Sequence, residues 1–460
     1  MLQIELGNSS SRDCSGVSRR EFLQVGALGC GGLALSDLLA LKANGQLGDG
    51  IRDKSVVVLF LTGGPSQIET FDPKMDAAAE IRSVTGELQT TIPGITFGGT
   101  FSRLAKLAHR LSVVRSFTHG QADHTMGVEQ VIRAGNSMNA GMGAIVSRLR
   151  GSSHPSSGLP TNVYLTAKES CRQFNKERLR LSAAASGGHL GSSYSPFEVG
   201  GDGQLNRNLR LNIPKRRLNQ RLELRKSLDS LRRKVDGRGD QTGMNKFEQQ
   251  ALDLILGKSR AAFDLSTEDP KLVEKYDTSR FSTGIHAQRS STLGHQLLLA
   301  RRLCEAGCGF ITVHNPGRDM HGGPTQYNMP HGMNSLGRPV DHAVGAFLDD
   351  VESRGLRDEI LLVITGEFGR TPRVKKNGGR DHWPRLSTLA FAGGGLPGGT
   401  VVGQSDSIGG EPRSDPVTLG QMFGSILHVL FDVSKLRLRS GLPREVLSLL
   451  ETNEPIKQLV

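Results

Sequence analysis

The sequence contains few aromatic residues and few cysteines. Aromatic side chains make up 5% of the 460 residues, with a single tryptophan, and there are five cysteines. A surface that stacks nucleic acid bases needs aromatic side chains within a basic patch. No such cluster occurs, although the formal net charge is +12. We therefore expect no nucleic acid partner, and the positive charge favours an anionic partner of another kind.

The cysteines do not fit the pattern of a disulfide-stabilised exported domain. Cys14 and Cys30 lie near the N-terminus, which leaves Cys171, Cys304 and Cys308 for the remaining chain. An odd number argues against a disulfide framework. Cys304 and Cys308, four residues apart at a predicted helix end, either bind a metal or are buried as small hydrophobic residues. Long apolar runs are also absent after the N-terminal region, so we expect no membrane span in the mature chain.

Residues 1–43 have the pattern of a twin-arginine export signal. Arg19 and Arg20, within the sequence SRREFL, precede an apolar, glycine-rich run at 25–41. This is the organisation of a signal that directs export. A buried N-terminal helix is the alternative, but the glycines would weaken it. We therefore expect export through the twin-arginine translocase to the periplasm or the extracellular space, followed by cleavage near Ala43 or by lipid attachment.

Residues 50–460 are predicted to form a single α/β domain with a helical insertion at about 205–290. Short unbroken apolar runs are typical of strands that are buried on both faces of a parallel sheet. An amphipathic helical pattern between two of these runs completes a strand, helix, strand unit, which favours parallel pairing. We therefore predict a mostly parallel sheet. The predicted strands are 55–61, 111–114, 162–165, 310–313, 360–364 and 386–392.

Imidazole and carboxylate side chains follow three of the predicted strands. Because parallel strands end at a common edge of a sheet, where open α/β sheets bind ligands, we expect these side chains to lie close together. Such groups bind divalent ions, and no thiolate set of the structural-zinc type is present. We predict a site for a divalent metal ion (Zn, Mn, Ca or Mg), with structural ion pairs as the alternative. The predicted ligands are His124, Asp319, His321, Glu367, Asp381 and His382.

Two further residues at this edge are predicted to take part in catalysis. Arg370, three residues after Glu367, could hold two oxygens of a phosphate or sulfate in forked geometry, or it could form a salt bridge with a nearby carboxylate. Thr125 offers a hydroxyl for a covalent route, as do Thr62 and Ser66 at the end of the first predicted strand. A bound metal would polarise an ester oxygen or activate a bound water.

Several segments resemble one known family. They are the twin-arginine leader and the stretches LFLTGGPSQIETFDPK, RDMHGG and GEFGRTPRVKKNGGRDHWP. Together they are similar to the exported bacterial domain-of-unknown-function family fifteen-hundred-and-one, which is placed in the alkaline phosphatase and sulfatase superfamily. The resemblance extends from about Ser55 to Leu459. It implies a three-layer α/β/α core of the alkaline-phosphatase type.

The resemblance also implies a chemistry, metal-centred hydrolysis of sulfate or phosphate esters. Glu367 stands at the first position of the superfamily's Asp-His metal pair, with Phe368 in place of the histidine. Thr62 stands where active members carry a metal-binding aspartate. The residues that match the other metal motifs are Asp319, His321 and His382.

Two functions therefore remain open from the sequence. The first is an exported, metal-dependent hydrolase that acts on an anionic small-molecule or polysaccharide ester. The second is a non-catalytic envelope binding or assembly protein that retains the fold with a degenerate metal site.

Overall fold

A computed structural model of the chain describes residues 50–167, 174–200, 258–284 and 289–460, with a few positions between 214 and 224. The predicted export signal at 1–43 and most of the predicted helical insertion lie outside the described residues. The chain forms two compact units, of which the larger consists of Arg52–Phe431 and Ser440–Val460 and the smaller includes Asp432–Arg439. The features below belong to the larger unit unless stated.

The described residues form strands that group into one large sheet and three small ribbons. The strands are β1 Ser55–Leu61, β2 Glu87–Gln89, β3 Thr96–Gly98, β4 Leu111–Val114, β5 Asn162–Leu165, β6 Phe197–Val199, β7 Ser282–Thr283, β8 Arg289–Ser290, β9 Phe310–Asn315, β10 Ile360–Thr365, β11 Gly369–Arg370, β12 His382–Trp383, β13 Leu389–Gly393 and β14 Thr400–Val402.

The helices of the described residues vary from single turns to about four turns. They are α1 Gln67–Thr70, α2 Ser102–Lys106, α3 His124–Arg133, α4 Met142–Arg150, α5 Asn175–Ala184, α6 Pro270–Tyr276, α7 Leu293–Glu305, α8 Met329–Gly332, α9 Arg338–Ser353, α10 Leu419–Leu430, α11 Val433–Arg437 (in the smaller unit) and α12 Arg444–Thr452. In the part of the chain that the structure describes, no helix is long and apolar enough to cross a membrane.

The large sheet has eight strands in the order β14-β4-β13-β10-β1-β9-β5-β6. All neighbouring pairs are parallel except the two that β13 makes with β10 and β4. The predicted mostly parallel sheet is therefore confirmed. The six predicted strands are all present, although the last begins at Leu389 rather than at residue 386 and runs against its neighbours.

Helices cover both faces of this sheet. On β1, Val57, Leu59 and Leu61 belong to a hydrophobic cluster shared with α7 and α9. The alternate residues of β1 are equally buried but do not belong to that cluster. Helices α4 and α10 contact the sheet, and their residues do not belong to the cluster either. Since side chains of a strand alternate between the two faces, the architecture is the expected three-layer α/β/α arrangement.

Cys304 and Cys308 are buried free thiols. Of the two possibilities, burial as small hydrophobic residues is the one observed. Burial raises the pKa of both thiols, that of Cys308 to about 12, so both stay neutral and hydrophobic in character.

Candidate metal centre

The site forms where three adjacent parallel strands end. β1 is paired on one side with β10 and on the other with β9. The loops that follow them carry Gly63, Glu367 and Asp319, and helix α3 adds its first residue, His124. Adjacent parallel strands end at the same edge, so these loops meet although they are hundreds of residues apart in sequence.

Gly63 lets two of these loops approach closely. Its backbone N–H donates to Glu367 Oε1 at 2.7 Å. Its φ is +101°, and a Cβ at this position would lie 2.4 Å from the backbone nitrogen of Asp319. A residue with a side chain would therefore push the Asp319 loop away from the strand end, which is why glycine is required here.

His124 is placed by the start of helix α3. Asp123 caps the helix by accepting from the backbone N–H groups of Thr125 at 2.8 Å and Met126 at 2.9 Å. The imidazole of His124 then lies between two carboxylates. Its Nδ1 is 3.0 Å from Glu367 Oε1, and its Nε2 is 3.4 Å from Asp319 Oδ1. Asp123 itself serves as a helix cap.

Asp319 Oδ1 is the point at which the cluster converges. It lies 2.9 Å from His321 Nε2 and 3.1 Å from His382 Nε2, in addition to its contact with His124. His321 Nε2 and His382 Nε2 are 3.0 Å apart. Three imidazole Nε2 atoms therefore surround one carboxylate oxygen.

Each of the three imidazoles is oriented through its other ring nitrogen. Nδ1 of His124 faces Glu367 Oε1, Nδ1 of His321 is 2.7 Å from Asp381 Oδ1, and Nδ1 of His382 is 2.8 Å from the carbonyl oxygen of Ala122. A carbonyl or an ionised carboxylate only accepts, so each Nδ1 carries a hydrogen. The Nε2 lone pairs are then available to a bound metal, and without a metal protons on Nε2 link the imidazoles to Asp319. This carboxylate–histidine arrangement is typical of metal-binding histidines.

The spacing of several of these atoms fits a metal ion. Zinc–ligand bonds of about 2.0–2.1 Å in tetrahedral geometry place ligand atoms about 3.3 Å apart, and the measured separations run from 2.9 to 3.4 Å. Ligand atoms of His124, Asp319 and His382 all lie within 4.8 Å of one another, and His321 is not part of this group. Imidazole Nε2 atoms this close to a carboxylate oxygen require a cation between them, either a metal or protons on the imidazoles.

The charges of the cluster shift its pKa values strongly. Burial alone would lower the pKa of His124, but hydrogen bonds and charge interactions with Asp319 and Glu367 raise it to about 9. Burial opposes ionisation of Asp319, yet its contacts with the three histidines and Arg370 hold its pKa far below the usual range. A hydrogen bond from Lys375, partly offset by burial, lowers the pKa of Asp381, and His321 adds to the effect.

All six predicted metal ligands thus form one connected cluster, but they differ in position. His124, His321 and His382 contact Asp319 Oδ1 through Nε2, whereas Glu367 and Asp381 lie behind His124 and His321 and accept from their Nδ1 atoms. Glu367 Oε2 is buried and has no hydrogen-bond partner among the described residues. Phe368 packs beside the cluster, with its ring 4.3 Å from that of His382 and 5.1 Å from that of His124.

The two predicted catalytic residues lie at the edge and the base of the cluster. Arg370 is fully buried and donates to Asp319 Oδ1 at 2.8 Å, to Gly64 O at 3.0 Å and to Gly63 O. Its guanidinium also reaches other backbone carbonyls, so it holds Asp319 in place, and its contact with a substrate anion stays a prediction. Thr125 is exposed in the first turn of α3. Its role as nucleophile also stays a prediction.

Sequence reasoning missed a carboxylate that lies next to this site. Glu177, in the first turn of α5, accepts from the hydroxyl of Thr62 and from Gly317 N–H at 3.0 Å. Thr62 Oγ1 is also 2.9 Å from Nε2 of the buried His314. Burial, together with the charge of Glu367, raises the pKa of Glu177 to about 7. Glu177 follows the predicted strand 162–165 by twelve residues, but the stretch between them contains no histidine, so it showed no imidazole–carboxylate cluster.

A cavity of the described residues lies away from this site. It has a volume of about 540 Å³ and a mostly apolar lining that includes Phe263, Gln296 and Leu299. None of the cluster residues lines it.

Several solved structures have low similarity to the chain. The alkaline phosphatase from the Antarctic bacterium TAB5 is 10% identical with a TM-score of 0.31, and the match covers 83% of this chain and 98% of that chain. The lipoteichoic acid synthase LtaP from Listeria monocytogenes is 8% identical with a TM-score of 0.34, and the match covers 85% of this chain and 77% of that chain. The PsFucS1 sulfatase from Pseudoalteromonas sp. is 12% identical with a TM-score of 0.27, and the match covers 86% of this chain and 70% of that chain. Similarity this low carries no conclusion about the reaction.

The sequence comparisons give a clear family assignment. No curated protein matches the chain. The model of one family, described as "Protein of unknown function (DUF1501)", matches residues 53–445. This match covers most of the chain and confirms the resemblance noted from its motifs. The chain therefore belongs to the DUF1501 family.

Proposed function

We propose that this protein is a metal-dependent hydrolase of phosphate or sulfate esters. The observation that carries the proposal is the convergence of three histidine Nε2 atoms on Asp319 Oδ1, each imidazole being oriented by an acceptor at Nδ1. The net charge of +12 suits an anionic ester, either a small molecule or a polysaccharide.

The residues of the cluster divide into ligands and supports. His124, His321, His382 and Asp319 would hold the ion, which when bound polarises an ester oxygen or lowers the pKa of a bound water. The supporting carboxylates fix the tautomer and the orientation of the imidazoles, which raises their basicity as ligands. Arg370 keeps the Asp319 carboxylate ionised and directed at the same point. Thr125, exposed beside His124, is the hydroxyl available for a covalent route.

The first experiment measures metal content and ester turnover on the same protein. After purification in the presence of Zn²⁺, Mn²⁺, Ca²⁺ or Mg²⁺, elemental analysis should find a bound divalent ion, and a panel of nitrophenyl phosphates and sulfates should show turnover. Replacing Asp319 by Asn should weaken metal binding by about 100-fold or more, because this change removes a ligand, and even changes behind the ligands cost 10- to 100-fold.

The matched control is Asp358→Asn, since Asp358 is exposed and lies outside the cluster. It should leave metal content and turnover at the wild-type level. If the wild-type protein contains no metal under all four conditions and hydrolyses no ester, the proposal of a hydrolase is wrong. That result would favour the other function, a non-catalytic envelope binding or assembly protein.

We also propose that the protein is exported in folded form by the twin-arginine translocase, to the periplasm or beyond. The support is the Arg19-Arg20 pair ahead of the apolar run at 25–41. Replacing both arginines by lysine should retain the protein in the cytoplasm of a host that exports the wild type, as measured by cell fractionation. Unchanged export of the double variant would contradict this route.

A further inference from the structure

A polar pocket lies beside the cluster. Its volume is about 410 Å³, within the range of small-molecule sites. Its wall includes Gly322, which directly follows His321, and Gln326, whose side-chain amide donates to Asp319 Oδ2 at 2.8 Å. Asp319 therefore contacts the histidines through Oδ1 and the pocket wall through Oδ2. Gln326 and Gly322 therefore connect the pocket wall to the cluster.

The pocket is lined mainly by amide and hydroxyl groups, together with the imidazole of His331. Amide side chains come from Gln326, Asn328 and Asn334, and hydroxyls come from Tyr327 and Ser335. Burial raises the pKa of Tyr327, so its phenol stays a neutral donor and acceptor. Asn and Gln side chains each offer two donors and an acceptor oxygen. This set matches a ligand with several hydroxyl groups.

The pocket is not built for a charged ligand. Among the described residues that line it, there is no Asp, Glu, Lys or Arg. A charged group that left water for this pocket would find no opposite charge to offset its lost hydration. The charges of the region are instead collected at the cluster itself, where Asp319 and Arg370 lie. The cluster is therefore suited to an anionic head group, and the pocket is suited to the uncharged part of the same molecule.

The backbone of the pocket is shaped for close approach. Gly322 has φ +77°, and a Cβ there would lie 2.9 Å from atoms of Asn377, whereas the nearest atom to a Cβ at Gly323 would be Gln326 Oε1 at 3.4 Å. Gly323 therefore leaves its backbone open to a ligand, whereas Gly322 allows close packing against Asn377. On the opposite wall, Asn334 and Ser335 lie in a π-helical turn, Met333–Gly337, between α8 and α9. Such turns occur frequently at functional sites.

We propose that this pocket binds the uncharged, hydroxyl-rich part of the substrate, a sugar or a comparable polyol that carries the ester. The inference rests on the proposed hydrolase in that it assigns the ester head group to the cluster. The inference goes beyond that proposal because it names the chemical class of the rest of the substrate. The polyol ring lies between the two glycines and the π-helical turn, with its hydroxyls bonded to the amides and the phenol.

The test measures binding of neutral polyols to the full chain by saturation-transfer NMR. The probes are methyl glucoside and myo-inositol, with glucuronate as the charged comparison and cyclohexanol as the apolar one. The neutral polyols should bind and both comparison probes should bind more weakly. Asn334→Ala and Tyr327→Phe should each weaken polyol binding about 3- to 10-fold, the effect of losing one hydrogen bond.

The control is Ser266→Ala, because Ser266 is exposed and lines the separate apolar cavity. It should bind the polyols like wild type. The absence of binding by every polyol, or equal binding by wild type and both pocket variants, would overturn the pocket assignment. Metal content and ester turnover are recorded on the same samples. If the protein contains no metal and hydrolyses no ester but still binds polyols at this pocket, the proposed hydrolase function is wrong and the proposed polyol site is supported.

Discussion

At the scale of single residues, the site contains two side chains whose pKa values are raised for different reasons. His124 and Glu177 lie in the first turns of α3 and α5, two helices that pack together. For His124 the nearby carboxylates outweigh burial, and for Glu177 burial is itself the main cause. The result is a protonated histidine in the metal-free cluster and a carboxyl that titrates near neutrality.

The carboxyl of Glu177 should make stability depend on pH. Its pKa is about 7 in the folded protein against 4.5 ordinarily, so the folded state binds this proton more tightly than the unfolded state. The resulting stabilisation is complete below about pH 4.5 and is lost as the pH rises through about 7. Glu177→Gln keeps a neutral acceptor for Thr62, and it should therefore unfold at a higher temperature than wild type at about pH 8.

Thermal unfolding across pH measures this effect. The melting-temperature difference between Glu177→Gln and wild type should be small near pH 4.5 and should grow between pH 5 and 8. Glu87→Gln, a change at an exposed glutamate, is the control and should show no such trend. A constant difference for Glu177→Gln over the whole range would contradict the assigned titration.

At the scale of elements, the turn after β1 determines how closely the loops of the site approach. Gly63 binds Glu367 through its N–H, and its carbonyl accepts from Arg370. The same turn passes directly beneath Asp319. A change in this turn therefore acts on three loops together.

Gly63→Ala should disrupt the centre. The left-handed φ costs an alanine about 1–2 kcal/mol, and the contact of its Cβ with the Asp319 backbone adds about 1–3 kcal/mol of overpacking. Gly86→Ala is the matched control, because Gly86 also has a positive φ, +76°, but no atom lies within 4 Å of its Cβ position. Chemical denaturation should show a larger loss for Gly63→Ala, together with weaker metal binding. Equal losses in the two variants would contradict the close approach.

At the scale of the whole molecule, a buried ion pair connects the site to a distant part of the chain. Glu69 in α1 and Arg380, which immediately precedes Asp381, are both fully buried, with Glu69 Oε1 and Arg380 Nη2 3.0 Å apart. Arg380 also donates to the carbonyls of Ile81 and Arg82. The loop that carries Asp381 and His382 is thereby anchored to the segment after β1.

Glu69→Gln should destabilise the protein by about 3–5 kcal/mol, because removing one partner leaves a buried, uncompensated charge. The exposed pair Arg385–Glu411 provides the comparison, with side chains 62% and 54% exposed. Glu411→Gln should change the stability by less than about 1 kcal/mol. Denaturation midpoints measure both variants, and a small effect for Glu69→Gln would show that the buried pair does not anchor the loop.

Several features of the fold and of the cluster followed from local patterns. Apolar runs identified all the strands that form the middle of the sheet, and the position of each polar loop just after a strand predicted that His124, Asp319 and Glu367 would meet. This worked because a parallel sheet places the ends of its strands at one edge, whatever the sequence distance between them. Element boundaries were less certain, as the start of β13 shows.

The sequence alone determined the layered architecture, the family and the residues that meet at the sheet edge, since these depend on local periodicity and on motifs. Only the tertiary structure decided the antiparallel direction of β13, the burial of Arg370 beneath Asp319, the support of the histidines by Glu367 and Asp381, and the presence of Glu177. These depend on the direction and distance of side chains from different elements. Such relations arise from packing, and no local pattern encodes them.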